Sequence, residues 1–169
     1  MQTAPRLVSL LFFGLLALGA SARADDDAAT LKHVREAFVA AMATVESAPF
    51  APAGGDSEAL QRYPLYPYLQ AARLNRQLAL AKPIAAQPGS DARLPLDDQI
   101  TALLSQQGER PVTRTLRSAW LAHLAARQAW PTYLAQYRRD RDTQTTLRCH
   151  WLAARVALGQ TDGLTDELS

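Results

Sequence analysis

An all-α domain of short antiparallel helix pairs, stacked as an α-solenoid, is the fold the sequence predicts, on three observations. Apolar residues recur at i, i+3 and i+4 along successive segments. No convincing segment alternates with the period of two that a half-buried strand needs. Turns rich in Gly and Pro then cut the periodic stretches into short helices. Short helices with brief turns favour antiparallel neighbours, and a string of such pairs buries each apolar face against the next.

The elements follow in order. A first helix over about Asp26 to Glu46 carries Leu31, Val34, Phe38, Ala41, Met42 and Val45 on one stripe. Asp25, Asp26 and Asp27 stand at its start, where the helix dipole favours negative charge. Pro49, Pro52 and Gly54-Gly55 end it. A second helix opens at Ser57 or Asp56 as cap and breaks at Pro64. A new helix begins near Leu65, with Pro67 tolerated in the first turn because its missing amide would have no partner there. Leu65, Tyr68, Leu69 and Ala72 form its predicted buried face, leaving Gln70 on the exposed side. Lys82 to Pro95 reads as a loop, with Pro83, Pro88, Gly89 and Pro95. Four further helices are expected at Asp97–Gln107, Thr113–Arg127, Pro131–Arg138 and Thr143–Leu158, the first stopped by Gly108 and the last by Gly159. Leu164 to Leu168 begins another helix-like stretch, too short to cover the apolar face of the preceding pair, so self-association is expected of the isolated chain.

The N-terminus divides the chain into residues 1–24 and 25–169. Arg6 supplies a positive n-region, Leu7 to Ala20 an apolar core, and Ala22-Arg23-Ala24 a small-x-small cleavage site, which together read as a secretory signal. The apolar run is short for a membrane span, and no Cys follows it to carry a lipid anchor. A periplasmic chain beginning at Asp25 is therefore expected, with no membrane association after cleavage. Cleavage also removes Arg6 and Arg23, two of 18 basic residues, and none of the 16 acids. The balance becomes neutral, and charge-driven nucleic-acid binding loses its support. Arg138, Arg139 and Arg141 cluster locally, but Asp140 and Asp142 interleave with them, as in a solvated helix end.

The residue types that carry chemistry do not converge. His123 and His150 fall on apolar helical faces, where packing explains them. A metal site needs three or four convergent ligands, and Cys149-His150 has no CxxC or HxxxH companion. Neighbours on a helix also point about 100° apart, so Cys149 and His150 cannot share an ion or act as nucleophile and base. Cys149 is the lone cysteine, and its helical, apolar neighbourhood predicts burial. Phosphate-binding loops and nucleophile elbows are absent from the sequence. No catalytic, cofactor-binding or metal residue is expected. Tyr63, Tyr66, Tyr68, Trp120, Trp130, Tyr133, Tyr137 and Trp151 could stack on sugars, but their helical stripes favour packing between helices.

The segment Tyr63-Pro64-Leu65-Tyr66-Pro67-Tyr68-Leu69 resembles the signature near the N-terminus of the soluble lytic murein transglycosylases. Leu147-Arg148-Cys149-His150-Trp151 resembles a later helix of the same family, and Arg117 to Tyr137 is similar to the Trp/Leu pattern between them. The resemblance covers about Leu60 to Gly159. It implies the start of a superhelical domain that builds a ring, with a lysozyme-like catalytic domain following in the longer enzyme. It also implies peptidoglycan as the partner of that enzyme, and a second Cys further along its chain. The family's catalytic Glu lies in a Glu-Ser motif accompanied by Gly-Leu-Met-Gln and Ala-Tyr-Asn-Ala-Gly. Here Glu46-Ser47 is followed by Ala48-Pro49-Phe50 at a helix end, and neither accompanying motif occurs. No catalytic role transfers to Glu46. The expected function is a helical scaffold portion of an exported lytic transglycosylase. The alternative is a stand-alone periplasmic helical-repeat module for a protein partner or a glycan.

Overall fold

The computed structural model describes residues 18–82, 93–108 and 110–163; side chains are described from residue 29 onward. The described residues form seven helices and no strand. They are α1 (Leu18–Ala43), α2 (Glu58–Gln61), α3 (Tyr66–Leu80), α4 (Pro95–Gln107), α5 (Pro111–Ala126), α6 (Trp130–Gln136) and α7 (Thr145–Ala157). The all-α class is as expected. Most of the proposed signal and the Leu164–Leu168 stretch lie outside the described residues. No helix among the described residues is long and apolar enough to cross a membrane.

Proline sets most of the helix starts. Pro67, Pro95, Pro111 and Pro131 each stand in the first turn of their helix, where an absent N–H leaves no bond unmade. Ser57 caps α2 by accepting the Leu60 N–H at 3.3 Å, which settles the choice between Ser57 and Asp56. Gly108 ends α4 with φ +58°, a left-handed backbone that glycine enters without a Cβ clash.

Two hydrophobic clusters share α3 between them. The larger joins Leu74 and Leu78 to Ile100, Leu116, Trp120, Leu124, Tyr133 and Leu147, from α3 through α7. The smaller packs Leu69 with Leu60 and Val45, backed by Phe38, Met42, Tyr63 and Tyr66. A helix buried on two sides has a narrow free stripe, and this corrects the expected face of α3. Leu69 is fully buried, but Leu65 is 44% and Tyr68 43% exposed. The buried residues are instead Leu69 toward one cluster and Ala71, Leu74 and Leu78 toward the other. Leu31 of α1, expected on the apolar stripe, is also exposed, because the smaller cluster begins only at Phe38.

α5 is the central element and packs against α3, α4, α6 and α7. Its Arg117 side chain reaches the Gln136 carbonyl at the end of α6, so α6 turns back along α5. Tyr133 at the α6–α7 junction donates its hydroxyl to the Leu147 carbonyl at 2.6 Å. Its ring continues a run in which Tyr137 stacks on Tyr133 (6.0 Å) and on Trp151 (5.9 Å).

Candidate functional site

The polar interior is organised by three aspartates, each clasped by an arginine distant in sequence. Asp56, in the turn before α2, accepts two bonds from Arg73 of α3, at 2.6 and 3.1 Å. It takes a third from the Tyr66 hydroxyl at 2.9 Å. The Arg73 hydrogen bonds outweigh desolvation and hold the Asp56 carboxyl below its ordinary range. Burial, reinforced by that carboxylate, pushes the Tyr66 phenol up.

Asp97, in the first turn of α4, accepts the Leu94 N–H at 2.8 Å and the Trp120 indole N–H at 2.8 Å. It also pairs with Arg127 at the end of α5. Asp142 accepts Arg117 Nε at 2.9 Å and its terminal nitrogen at 3.0 Å, and caps the Arg138 N–H at 2.6 Å. This last contact corrects the expectation of a solvated charge cluster. Asp142 is buried, while Arg138, Arg139, Asp140 and Arg141 are exposed. Sequence spacing hides it, because the Arg117 guanidinium that pairs with Asp142 comes from α5, 25 residues away in sequence.

The remaining residues of chemical interest are dispersed. Glu46 stands on the surface, exposed to solvent and 3.2 Å from Arg76 Nε. His123 is half-buried on α5. Desolvation, followed by the nearby Arg127 charge, lowers its pKa. His150 lies edge-on to the Tyr133 ring at 6.4 Å. Among the described residues no three His, Cys, Asp or Glu side chains gather in a way that could hold a metal ion. Cys149 is exposed, contrary to the expected burial. α7 turns Leu147 and Ala154 inward, and Cys149 lies two positions from Leu147, away from that face.

The aromatic residues divide by position. Trp120, Tyr133 and Tyr137 are buried, as packing predicts. Tyr63, Tyr66, Trp130 and Trp151 are half-buried, and Tyr68 is exposed. Trp151 carries the Arg155 guanidinium over its ring at 5.0 Å and that of Arg139 at 5.8 Å.

Beside the Asp56 cluster, a cleft of about 300 Å³ opens between α3 and α4. Tyr66 and Arg73 line it together with Gln70, Gln77, Gln99 and Gln106. The glutamines carried no motif in the sequence. Their one signal is spacing, since each pair stands at i and i+7 on its helix. This cleft, bounded by the Tyr/Pro helix start, is the candidate site. The chain matches no family model, no curated protein and no solved structure.

Proposed function

We propose that the chain is a helical scaffold portion of an exported lytic transglycosylase acting on peptidoglycan. In this reading it carries no catalytic site of its own. The observation that supports it is the Tyr63–Leu69 segment, which resembles that family and forms a joint in this fold. Tyr63 packs against Phe38 of α1 at 5.4 Å, Tyr66 bonds Asp56, and Leu69 fills the smaller cluster. The segment therefore fixes how α1 and α2 meet the helices that follow. Successive helices pack on their neighbours from α3 to α7, as the opening of a superhelix would require. Glu46, paired on the surface, has no setting for glycosidic acid catalysis.

The test is incubation of the purified chain, residues 25–169, with murein sacculi. The expected result is co-sedimentation with sacculi and no release of anhydro-muropeptides above buffer. Release would overturn the non-catalytic assignment. Failure to co-sediment would remove peptidoglycan as the partner and favour a module that binds a protein.

A further inference from the structure

The last three helices carry far more arginine than acid. Residues 111–157 contain eight arginines, two aspartates, and no lysine or glutamate. Asp142 is committed to Arg117, and Arg127 draws on Asp97 of α4. The other aspartate, Asp140, stands 3.4 Å from Arg141 on the surface. A large positive excess remains.

Three of these charges converge on one aromatic residue. Arg155 lies over the half-buried Trp151 ring at 5.0 Å, and Arg139 at 5.8 Å. Arg148 stands three residues before Trp151, on the same side of α7. Burial, then Asp142, pushes up the Tyr137 phenol that stacks on Trp151, and the Arg139 and Arg148 charges both oppose that rise.

The adjoining face of α7 is apolar and looks outward. α7 turns Leu147 and Ala154 into the core and packs against α5 and α6. Helical geometry puts Cys149, Leu152, Ala153 and Val156, at i, i+3, i+4 and i+7, on the opposite side. Cys149 and Ala153 are exposed, Leu152 is half-buried, and Val156 is 58% exposed. Arg148 and Arg155 run along one edge of that stripe, about two turns or 10.5 Å apart.

Three kinds of occupant could cover such a face. A second α7 would set arginines against arginines. A bilayer surface is held by large apolar side chains, and the exposed positions here are Cys149, Ala153 and Val156. Small side chains let another helix approach closely, and carboxylates on its flank would pair with the arginine edge, as charges beside a coiled-coil seam do.

We propose that the outward face of α7 docks an acidic amphipathic helix of a protein partner. The partner's apolar stripe lies against Cys149, Ala153 and Val156, and its carboxylates run along Arg148 and Arg155, with Arg139 beside them.

The probe is a helical peptide of about 14 residues, or four turns, with leucines on one stripe and glutamates along one edge. It is titrated into the isotopically labelled, reduced 25–169 chain, followed by amide resonances and calorimetry. Shifts are expected along α7 and the turn over 138–141, with affinity falling as salt is added. The same peptide with glutamine for glutamate should bind at least about fivefold more weakly, the scale of one exposed ion pair. Arg148→Glu should weaken the glutamate peptide by about as much and gain affinity for a lysine-edged one. Arg62→Glu, the same charge change on α2, should leave binding unchanged. Ala153→Glu, which sets a carboxylate into the stripe, should abolish it. Arg148 and Ala153 are both exposed, so the variants should fold, as far-UV melts would verify. Equal affinity for the glutamate and glutamine peptides, equal losses in Arg148→Glu and Arg62→Glu, or shifts away from α7 would overturn the proposal. Binding to vesicles of equal parts phosphatidylglycerol and phosphatidylcholine, with no response to the peptide, would overturn it in favour of a lipid surface. Self-association of the reduced chain through α7 would overturn it in favour of a second copy.

Discussion

Trp120 donates its indole N–H to Asp97 at 2.8 Å inside the core, with the tryptophan fully buried and the carboxylate 1% exposed. The same carboxylate accepts the Leu94 N–H at the start of α4 and pairs with Arg127 at the end of α5. One side chain thus satisfies an orphan donor of a helix N-terminus, a tryptophan that could not otherwise be buried at low cost, and a cation beside a helix C-terminus. Its position in the first turn of α4 lets a single carboxylate reach all three.

Removing the carboxylate should therefore cost far more than a surface substitution. Asp97→Ala is expected to destabilise the chain by about 3–5 kcal/mol, because it breaks a buried ion pair and takes the acceptor from the buried Trp120 indole N–H and the Leu94 N–H together. Trp120→Phe should cost less, about 1–3 kcal/mol, since it removes the donor but keeps most of the buried ring. Urea denaturation of both variants measures this. A loss below about 1 kcal/mol in Asp97→Ala would show that the carboxylate is not the joint between α4 and α5.

The corrected face of α3 gives a paired prediction. Leu69 is fully enclosed by the smaller cluster, and Leu69→Ala should cost about 2–5 kcal/mol. Tyr68 keeps 43% of its surface in solvent, so Tyr68→Ala should cost about 1 kcal/mol or less. The sequence pattern places both residues on one face and predicts comparable losses. Equal midpoint shifts in urea would restore that register.

Helix existence was legible because it depends on local chemistry, but not every boundary was: α1, expected from Asp26 to Glu46, runs Leu18–Ala43, so Asp25 to Asp27 lie within it and not at its start. Gly108 and the first-turn prolines at Pro67 and Pro131 mark ends that the periodicity also finds. Which face of α3 is buried was not legible, because a stripe of Leu65, Tyr68, Leu69 and Ala72 is as periodic as the stripe of Ala71, Leu74 and Leu78. Only tertiary neighbours decide between them, and α3 has neighbours on two sides. The aspartate clasps were equally hidden, since Asp56–Arg73, Asp97–Arg127 and Asp142–Arg117 join residues far apart in sequence. The glutamine cleft needs two helices aligned before its spacing means anything. Exposure of Cys149 follows from rotation of α7 about Leu147 and Ala154, which composition does not fix.

Asp56 should give stability a dependence on acid. Its carboxyl lies below the ordinary value of 3.8 in the folded chain, chiefly through the Arg73 hydrogen bonds. The unfolded chain therefore binds a proton at a higher pH than the folded chain. The stabilisation is complete above the ordinary value and is lost as pH falls through the lowered folded value. Asp56→Asn removes this titration, so its denaturation midpoint should fall less steeply with acid than that of the parent. The Tyr66 phenol, raised first by burial and then by Asp56, should also titrate closer to its ordinary value in Asp56→Asn. Parallel acid profiles for the two proteins would show that Asp56 is not held below its ordinary range.

Cys149 is free and exposed on α7, which makes covalent dimerisation the expected fate of the chain under oxidising conditions. A disulfide needs the two Cα atoms within about 7 Å, so two α7 helices must lie side by side at that point. Cys149→Ser should abolish the covalent dimer and alter the urea midpoint by no more than about 0.5 kcal/mol equivalent, as befits an exposed side chain. Non-reducing gels and light scattering follow the dimer, and urea denaturation gives the midpoint. A Cys149 that resists oxidised glutathione and a small thiol reagent alike would place the thiol inside the fold, against the orientation of α7 described above.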